Sequence, residues 1–368
     1  MNATIAALGD VVEIKGGGTP SKANPAFWNG DIPWVSPKDM KRWEIDDSED
    51  KITQDAIEKS ATNLIPASSI LVVNRSGILK HTLPVGITRR AVAINQDIKA
   101  LICNGHAHPE YIAHIVKAAE PTVLKWVRAT TADNFPIENL RSLEIPLPPL
   151  DEQRRIAAIL DKADALRRKR KRALDLLGSL TQSIFLEMFG DPVSNPKRLP
   201  RVALGELIKV KSGDGLVAKD MAVGGCYPVY GGNGISGHHD QFMFEEPKVV
   251  IGRVGFYCGA VHMTQPRSWV TDNALYVSEL KKATSLQYLK HALTEAKLNQ
   301  YAGRAAQPLV SGSRIYPIEI LLPDQQSQQL FEAALDRAAH VENSERSALT
   351  LADALFSSLQ HRAFSGQL

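Results

Sequence analysis

Residues 145–191 read IPLPPLDEQRRIAAILDKADALRRKRKRALDLLGSLTQSIFLEMFGD, in which a proline-rich lead precedes a long, uninterrupted helical pattern. Proline cannot lie inside a helix, so the three prolines among the first five residues predict an extended segment that stops abruptly. Asp151 then offers an N-cap oxygen, and the predicted helix continues to Gly190. At about 1.5 Å per residue it would be roughly 55–60 Å long, too long for a small domain to bury. We therefore expect it to pack along an element of similar length.

Apolar residues recur along this helix at alternating spacings of three and four, as in the seam of a coiled coil. The seam consists of Ile156, Ile159, Ala163, Leu166, Ala173, Leu177, Leu180 and Ile184, and Arg170 interrupts it. The pattern returns 175 residues later without a gap, and the second, weaker seam consists of Phe331, Ala334, Ala338, Glu345, Ala352, Leu355 and Leu359. Two unrelated surface helices would not explain a repeat that includes the proline lead. We therefore predict an antiparallel coiled coil of the two helices with a polar centre.

The charges of the two helices favour this pairing. Residues 151–190 carry nine basic and six acidic residues, a net charge of +3, whereas residues 324–368 carry three and six, a net charge of −3. The basic run 167–172 lies mid-helix, and Glu342 and Glu345 lie near the middle of the second helix. Antiparallel pairing would bring these middles together, which selects orientation and partner more than it adds stability. A solvated face and a nucleic-acid contact are further, non-exclusive interpretations of the basic run.

The composition excludes several classes of protein. A chain of 368 residues can form two or three domains with complete cores. No apolar run approaches the roughly 20 residues that span a bilayer, and the first ten residues do not read as a secretion signal. Cys103, Cys226 and Cys258 fit neither a disulfide framework nor a zinc pattern. We therefore expect a cytoplasmic protein without a metal or other cofactor, and the net charge of +3 is too small to indicate nucleic-acid binding by itself.

A globular module precedes each long helix, and the two modules begin alike. ALGDVVEIK at 7–15 and ALGELIKVK at 203–211 both alternate as a strand does and both lead to a glycine. Further strands are predicted at 32–35, 69–74, 248–253 and 260–263, and helical segments at 109–127 and 285–301. Arg75 and Arg253 occupy matching positions on glycine-marked turns that leave a strand.

The predicted fold is therefore of the α+β class, with two globular modules separated by two long helices and a pseudo-two-fold internal repeat. The predicted boundaries are 1–144 for the first module, 145–190 for the central helix, 191–319 for the second module and 320–368 for the C-terminal helix. Readers of two DNA half-sites use the same geometry through dimerisation, and here one chain would contain both halves. The half-site centres would lie between one and two helical turns apart, at about 34–36 Å per turn.

The sequence resembles the DNA specificity subunit (S subunit) of type I restriction–modification enzymes along nearly its whole length. The resemblance rests on LPPLDEQRRI at 147–156 with its long helix, the ALG start of each module, GCYPVYGGNGI at 225–235 and WVTDNA at 269–274. It implies that each module is a target recognition domain for one half of a split sequence in double-stranded DNA. It also implies that the helices separate the half-sites and dock two adenine-methylating modification subunits, with a motor–nuclease subunit in the larger complex. The second helix departs from the pattern, because LPDQQSQQ at 322–329 has no basic residue after the glutamines.

Motifs for catalysis are missing from the sequence. The chain has no Asn/Asp-Pro-Pro-aromatic motif of an amino-methyltransferase and no GxxxxGK[ST] phosphate-binding loop. The cysteine and histidines between Cys103 and His114 match no established zinc spacing. We therefore expect a binding subunit without catalysis of its own. The alternatives are a nucleic-acid enzyme with an unrecognised site, an adaptor whose helices scaffold other proteins, and the specificity subunit of a type IIB-like or solely methylating system.

Side chains that read DNA must reach base edges from turns or follow phosphates with positive charge. The DNA-binding candidates are Thr19, Lys22, Lys38, Asn74 and Arg75 in the first module and Lys211, Lys219, Tyr230, Asn233, His238, His239 and Arg253 in the second. The candidates for contact with the modification subunits are Gln153, Arg154, Ile156 and Leu160 on the first helix and Gln328 and Leu335 on the second.

The two modules differ in charge. Residues 1–150 carry 16 basic and 17 acidic residues, whereas residues 191–323 carry 15 and 11. Much of the acid in the first module lies in one cluster, which consists of Asp46, Asp47, Glu49, Asp50, Asp55 and Glu58. Phosphates would repel this cluster, so we expect it to face away from DNA, although a solvated turn and helix start would also explain it.

Overall fold

The computed structural model of the chain describes residues 4–128, 132–221, 224–303 and 308–368. The chain divides into two compact units, Met1–Arg170 with Ala348–Leu368, and Lys171–Ser347. The division passes through the middle of two 40-residue helices. Each unit therefore consists of one globular module and one half of each long helix.

The first unit contains a mixed module followed by the start of the long helix α6. Its strands are β1 (Thr4–Ala7), β2 (Val12–Gly16), β3 (Trp28–Val35), β4 (Glu44–Ile45), β5 (Lys51–Ile52), β6 (Leu64–Ile65), β7 (Ile70–Val73), β8 (Val85–Thr88), β9 (Val92–Ile94), β10 (Ile98–Cys103) and β11 (Glu144–Leu147). Its helices are α1 (Leu8–Val11), α2 (Gln54–Lys59), α3 (Pro109–Ala118), α4 (Glu120–Leu124), α5 (Ile137–Arg141) and α6 (Leu150–Phe189). The strands form sheets in the orders β2-β10-β7-β8-β4, β5-β3-β9-β6 and β1-β11.

The second unit repeats this design with a smaller module. Its strands are β12 (Arg201–Ala203), β13 (Ile208–Ser212), β14 (Tyr227–Gly231), β15 (Gly234–His239), β16 (Val249–Gly252), β17 (Val261–Met263), β18 (Trp269–Val270), β19 (Ala274–Leu280) and β20 (Glu319–Leu321). Its helices are α7 (Leu204–Leu207), α8 (Leu286–Glu295), α9 (Gly312–Ile315) and α10 (Gln325–Phe364). The sheet orders are β13-β19-β16-β17, β15-β14-β18 and β12-β20. The predicted α+β class and internal repeat are confirmed.

The single strand predicted at the start of each module is wrong, because one helical turn interrupts it. Leu8 and Val11 are both buried, and positions three apart share a face on a helix but not on a strand. The turn lets β1 pair with β11 while β2 pairs with β10. In the second unit Leu204 and Leu207 are buried in the same way between β12 and β13.

The predicted N-cap of the central helix is also wrong. The carbonyl of Pro149 accepts hydrogen bonds from the N–H groups of Glu152 and Gln153, so the helix begins one residue before Asp151, at Leu150. The carboxylate of Asp151 bonds to Arg154 instead. In α10 an aspartate does cap the helix, because Asp324 Oδ1 accepts from the Ser327 N–H at 2.7 Å. This backbone hydrogen bond lowers the pKa of Asp324 below its usual value.

The long helices pack antiparallel in both units, as predicted. In the first unit the start of α6 packs against the end of α10, with Ile156 and Phe356 in one core. In the second unit the end of α6 packs against the start of α10, where the Phe185 and Phe331 rings lie 5.7 Å apart. Each hydrophobic core therefore includes parts of both long helices as well as its module.

The predicted seam is wrong at two positions. Leu166 and Leu355 are 42% and 53% exposed, and the neighbouring Arg167 and Phe356 face the partner helix instead. The guanidinium of Arg167 lies 4.4 Å from the centre of the Phe356 ring and bonds Asp353 Oδ1 at 2.6 Å. The larger apolar area of phenylalanine and the ion pair favour a register shifted by one residue.

A buried glutamine ties the first turn of each long helix to its module. Gln153 donates to the carbonyls of His106 and Pro148 at 3.0 and 2.9 Å and accepts from the His108 N–H at 2.8 Å. Gln328 donates to the Pro323 carbonyl at 2.9 Å and accepts from the Ser285 N–H at 2.8 Å. His108 and Ser285 are the N-cap residues of α3 and α8, so both repeats join the same two helix starts.

A buried tyrosine reinforces each joint. The hydroxyl of Tyr111 on α3 donates to the Pro146 carbonyl at 2.9 Å, and that of Tyr288 on α8 donates to the Leu321 carbonyl at 2.6 Å. Both carbonyls belong to the extended lead of a long helix.

None of the helices in the described part of the chain combines the length and the apolar character that a membrane span requires.

Replacing Gln153 by alanine removes the three hydrogen bonds that its buried side chain makes to backbone groups. We expect the free energy of unfolding of the first unit to fall by roughly 2–4 kcal/mol, and Gln328→Ala to act similarly on the second unit. Urea denaturation measures the change. Gln182→Ala, which alters an exposed side chain of α6, is the control and should stay within about 0.5 kcal/mol of the parent. Equal stabilities of the Gln153 and Gln182 variants would contradict the role of the joint.

Candidate nucleic-acid interface

Arg75 follows strand β7 and is held at the surface by the turn between β9 and β10. Its backbone N–H donates to the Asp97 carbonyl at 3.1 Å, and its Nε donates to Asp97 Oδ1 at 2.6 Å. Asp97 is in turn fixed by Asn95, a buried residue that donates to Asp97 Oδ2 and accepts from its N–H, both at 3.0 Å. The exposed guanidinium of Arg75 is therefore held through its Nε by Asp97.

The same turn collects two other predicted residues. Thr19 Oγ1 lies 2.6 Å from Gln96 Oε1, and the Asn74 N–H donates to the Asp97 carbonyl at 2.8 Å. The Asn74 side chain donates to the Phe135 carbonyl at 2.7 Å, so its amide already has a structural partner. The structure thus brings Thr19, Asn74 and Arg75 together around residues 95–97.

Lys38 belongs to a different part of the first module. Its Nζ bonds Asp50 at 2.8 Å and Glu49 at 3.2 Å, and the hydrogen bond to Asp50 is the main cause that raises the pKa of Lys38. The remaining ion pairs of the acidic cluster are Arg42–Asp46, Lys51–Asp47 and Lys59–Asp55. The acid of this cluster is therefore largely neutralised by lysine and arginine within it.

Arg253 occupies the equivalent place in the second module, after strand β16. Its backbone N–H donates to the Asn273 carbonyl at 2.9 Å. Its Nη1 donates to Ser212 Oγ at 3.0 Å and to the Asp272 carbonyl at 3.3 Å. The turn between β18 and β19 thus holds Arg253 as the β9–β10 turn holds Arg75. Only the groups that hold the guanidinium differ.

A glycine lets the loop after β2, and likewise the loop after β13, pass close under the turn that holds the arginine. A Cβ on Gly17 would lie 1.9 Å from the Ile94 carbonyl oxygen, and one on Gly213 would lie 2.2 Å from that of Val270. The following N–H groups, of Gly18 and Asp214, donate to the same two carbonyls at 3.0 Å. No side chain fits at either position, so the close approach requires glycine.

The other predicted residues of the second module are scattered. Asn233 is exposed at the β14–β15 turn, beside Gly232, whose Cβ would lie 3.3 Å from the Asn273 carbonyl oxygen, so this turn adjoins the turn that holds Arg253. Tyr230 is buried in a small core, and its hydroxyl accepts from the Gln265 N–H at 3.1 Å. The His239 ring packs edge-on against Trp269. Lys211, Lys219 and His238 of the second module are exposed, as is Lys22 of the first module.

Most of the candidates for contact with a partner protein lie inside their own unit. Gln153, Ile156, Leu160 and Gln328 are buried, and Leu335 packs against the core of the second unit. Arg154 is exposed. These buried residues match between the two repeats because they hold each long helix to its module, a contact that both repeats share. Exposed apolar positions also recur at a spacing of 175, and they are Leu166 with Val341 and Leu176 with Leu351.

The residues that position the arginines were also missed from the sequence. Asp97, Asn95 and Ser212 carry no motif, and their role depends on which strands are neighbours. The available signal was the turn residues at 95–97, which separate the apolar runs 92–94 and 98–103. As for metals, no cluster of three or more His, Cys, Asp or Glu side chains forms within the described ranges. Burial raises the pKa of the Cys103 thiol to about 12.

Comparisons with known proteins agree with the internal repeat. The sequence model of the type I restriction modification DNA specificity domain matches residues 2–175 and 196–345. The specificity subunit of the EcoR124I/EcoR124II type I restriction enzyme of Escherichia coli is 44% identical over 162 residues, which cover 43% of this chain and 40% of that protein. The specificity subunit of the EcoprrI type I restriction enzyme, also from Escherichia coli, is 27% identical over 362 residues, which cover 92% of this chain and 88% of that protein.

A solved structure shares the fold over nearly the whole chain. The crystal structure of a type I restriction–modification S subunit from M. genitalium superposes with a TM-score of 0.65 at 15% identity. The match covers 99% of this chain and 96% of that one. The fold is therefore shared with this subunit.

Gly213→Ala tests whether the close approach under the turn positions Arg253. Its methyl group would overlap the Val270 and Thr271 carbonyls, so we expect the free energy of unfolding to fall by roughly 2–3 kcal/mol and the turn to shift. Chemical denaturation measures the first effect, and loss of amide hydrogen-exchange protection at residues 271–273 measures the second. Gly215→Ala is the matched control, because its Cβ would have no atom within 4 Å. Similar behaviour of the two variants would contradict the argument.

Proposed function

Because the chain belongs to the family of type I restriction modification DNA specificity domains, which match most of its length in two segments, we propose that it reads a bipartite DNA sequence with one module per half-site. Family membership confirms the prediction of a specificity subunit rather than an enzyme. In this proposal residues 1–144 and 191–319 are the recognition domains, and residues 145–190 and 320–368 separate the half-sites and dock partners.

The equivalent placement of Arg75 and Arg253 is the observation that carries the proposal. Each arginine follows the corresponding strand, donates its N–H to the corresponding turn and is held through part of its guanidinium. A guanidinium held in this way can present its remaining donors to O6 and N7 of guanine, the commonest specific contact in the major groove. Double-stranded DNA would thus be read twice by one chain.

Other exposed donors extend the two reading surfaces. Thr19 and Asn233 lie beside the arginine turns, where they can reach base edges. Lys22, Lys211 and Lys219 are exposed and would follow phosphates. The acidic cluster around Lys38 would face away from the duplex. Its six carboxylates outnumber the four basic side chains paired with them, and phosphates would repel the net negative charge that remains.

We assign partner docking to the outward faces of the long helices. Leu176 and Leu351 are 67% and 73% exposed and match at the repeat spacing of 175. Exposed leucines in corresponding positions favour two copies of one partner, in keeping with two modification subunits. A motor–nuclease restriction subunit would join the larger complex through the modification subunits.

Arg253→Ala is expected to weaken selection of one half-site only. The chain with its modification subunit would be incubated with random duplex DNA at near-physiological salt, and the bound DNA would be sequenced. The parent should enrich two short motifs at a fixed separation. Arg253→Ala should lose about 1–3 kcal/mol of discrimination in one motif, and Arg75→Ala the same in the other.

Lys282→Ala is the control for this selection, because it removes a surface charge of the second module that pairs with Glu206. It should leave both motifs intact. If both arginine variants enrich the parental motifs, or if the parent enriches none, the bipartite proposal fails and an adaptor role takes its place.

Substituting glutamate at the exposed leucines tests the docking surfaces. We expect Leu176→Glu and Leu351→Glu each to weaken binding of one modification subunit, because each places a charge where an apolar contact would be desolvated. Native mass spectrometry of the assembled complex counts the subunits. Val193→Glu is a matched control at another strongly exposed apolar residue. An unchanged subunit count in the double variant would remove these faces from the interface.

A further inference from the structure

A protruding aromatic residue marks the loop that follows Arg253. Phe256 is 94% exposed, the highest value among the exposed large hydrophobic residues that the structure describes. Leaving a phenylalanine ring in water forgoes the stabilisation that its burial would give, so such exposure points to a binding role. Tyr257 is half-exposed, and its ring contacts Phe256 edge-on at 5.1 Å between centroids.

The loop that carries this ring is firmly held at its base. Gly252 donates to the Ala260 carbonyl at 2.7 Å and accepts from Gly259 at 2.8 Å, which closes the β16–β17 hairpin. The buried Cys258 anchors the loop, with its N–H on the Gly255 carbonyl and its thiol on the Arg253 carbonyl. The Phe256 ring is therefore presented by a fixed hairpin end rather than by a long loose loop.

The first module has an apolar side chain at the corresponding position. Ile78 lies three residues after Arg75, as Phe256 lies three residues after Arg253, and it is 40% exposed. Both modules thus place an arginine and an exposed apolar side chain on one turn. The recurrence links the apolar residue to whatever the arginine contacts.

We propose that Phe256 is a specificity-determining residue that contacts the C5-methyl group of a thymine in the half-site read by the second module. This inference rests on the proposed function. Base edges in the major groove offer hydrogen-bonding groups and one apolar group, the thymine methyl. Of these groups on a base edge, a phenyl ring complements the apolar one. The major groove also admits a two-stranded β-ribbon, which is the shape of the β16–β17 hairpin.

A double-mutant cycle between protein and DNA tests the contact. The chain in complex with its modification subunit would bind its selected target, in which each thymine of the second half-site is replaced in turn by deoxyuridine. This replacement removes only the methyl group. We expect Phe256→Ala to weaken binding about tenfold and one thymine replacement to weaken the parent similarly. The Phe256→Ala variant should then be insensitive to that same replacement.

Three further variants make the result specific. Phe256→Leu keeps an apolar side chain and should retain most of the sensitivity to the methyl group. Val193→Ala, at an exposed valine outside the recognition turns, should bind as the parent does. Phe256→Ala should leave the salt dependence of non-specific binding unchanged, because the ring carries no charge.

Several outcomes would overturn the inference. These are additive effects of the protein and DNA changes, unchanged binding by Phe256→Ala, a second half-site without thymine, and loss of the modification subunit from the variant complex. The last result would identify the ring as a protein contact. If Arg253→Ala still loses its half-site while Phe256→Ala does not, only this inference fails. If neither variant alters the selected sequence, the proposed function fails with it.

Discussion

The buried glutamine at the start of each long helix is the contact on which the geometry of each unit depends. Its amide satisfies groups of the extended lead and of the start of α3 or α8 at once. Without the amide these groups, which are partly or fully buried, would lose their partners at a cost in free energy. A shorter polar side chain could not span them, and an apolar one would leave them unsatisfied. The direction of the long helix relative to its module is therefore set by hydrogen bonds, whereas the surrounding apolar core supplies most of the stability.

A single strand connects this joint to the turn that holds the arginine. In the first unit the turn at 95–97 leads into β10, whose six residues span about 20 Å and lead to the N-cap of α3. In the second unit the turn at 271–273 leads through β19 to α8. Both strands are paired on two sides within their sheets. Because a paired strand resists bending, the position of each arginine is coupled to the long helix through a short and stiff path.

The sequence predicted the features that are written as local patterns. These were the two long helices, their antiparallel pairing, the repeat with its spacing of 175 and the corresponding positions of Arg75 and Arg253. It did not predict which of two neighbouring residues faces the partner helix, because the choice between Leu166 and Arg167 depends on a ring and a carboxylate of the other helix. Nor did it predict Asp97 or Ser212 as partners of the arginines, because strand order decides which turns meet. Residues that match between the repeats were predicted to dock partners, but Gln153 and Gln328 are buried and join each long helix to its module.

The two repeats share their backbone contacts and differ in the side chains that hold the arginine. The N–H of each arginine donates to an equivalent carbonyl, so the chain path is the same. A carboxylate holds Arg75 through Nε, whereas a hydroxyl and a backbone carbonyl hold Arg253 through Nη1. A paired carboxylate offsets the charge of Arg75, whereas the hydroxyl and the carbonyl that hold Arg253 are neutral. Residues 191–323 also carry a net charge of +4, against −1 for residues 1–150. The orientation and charge of the arginine can thus change while the scaffold stays constant, so that under the proposed function one architecture would serve two different half-sites.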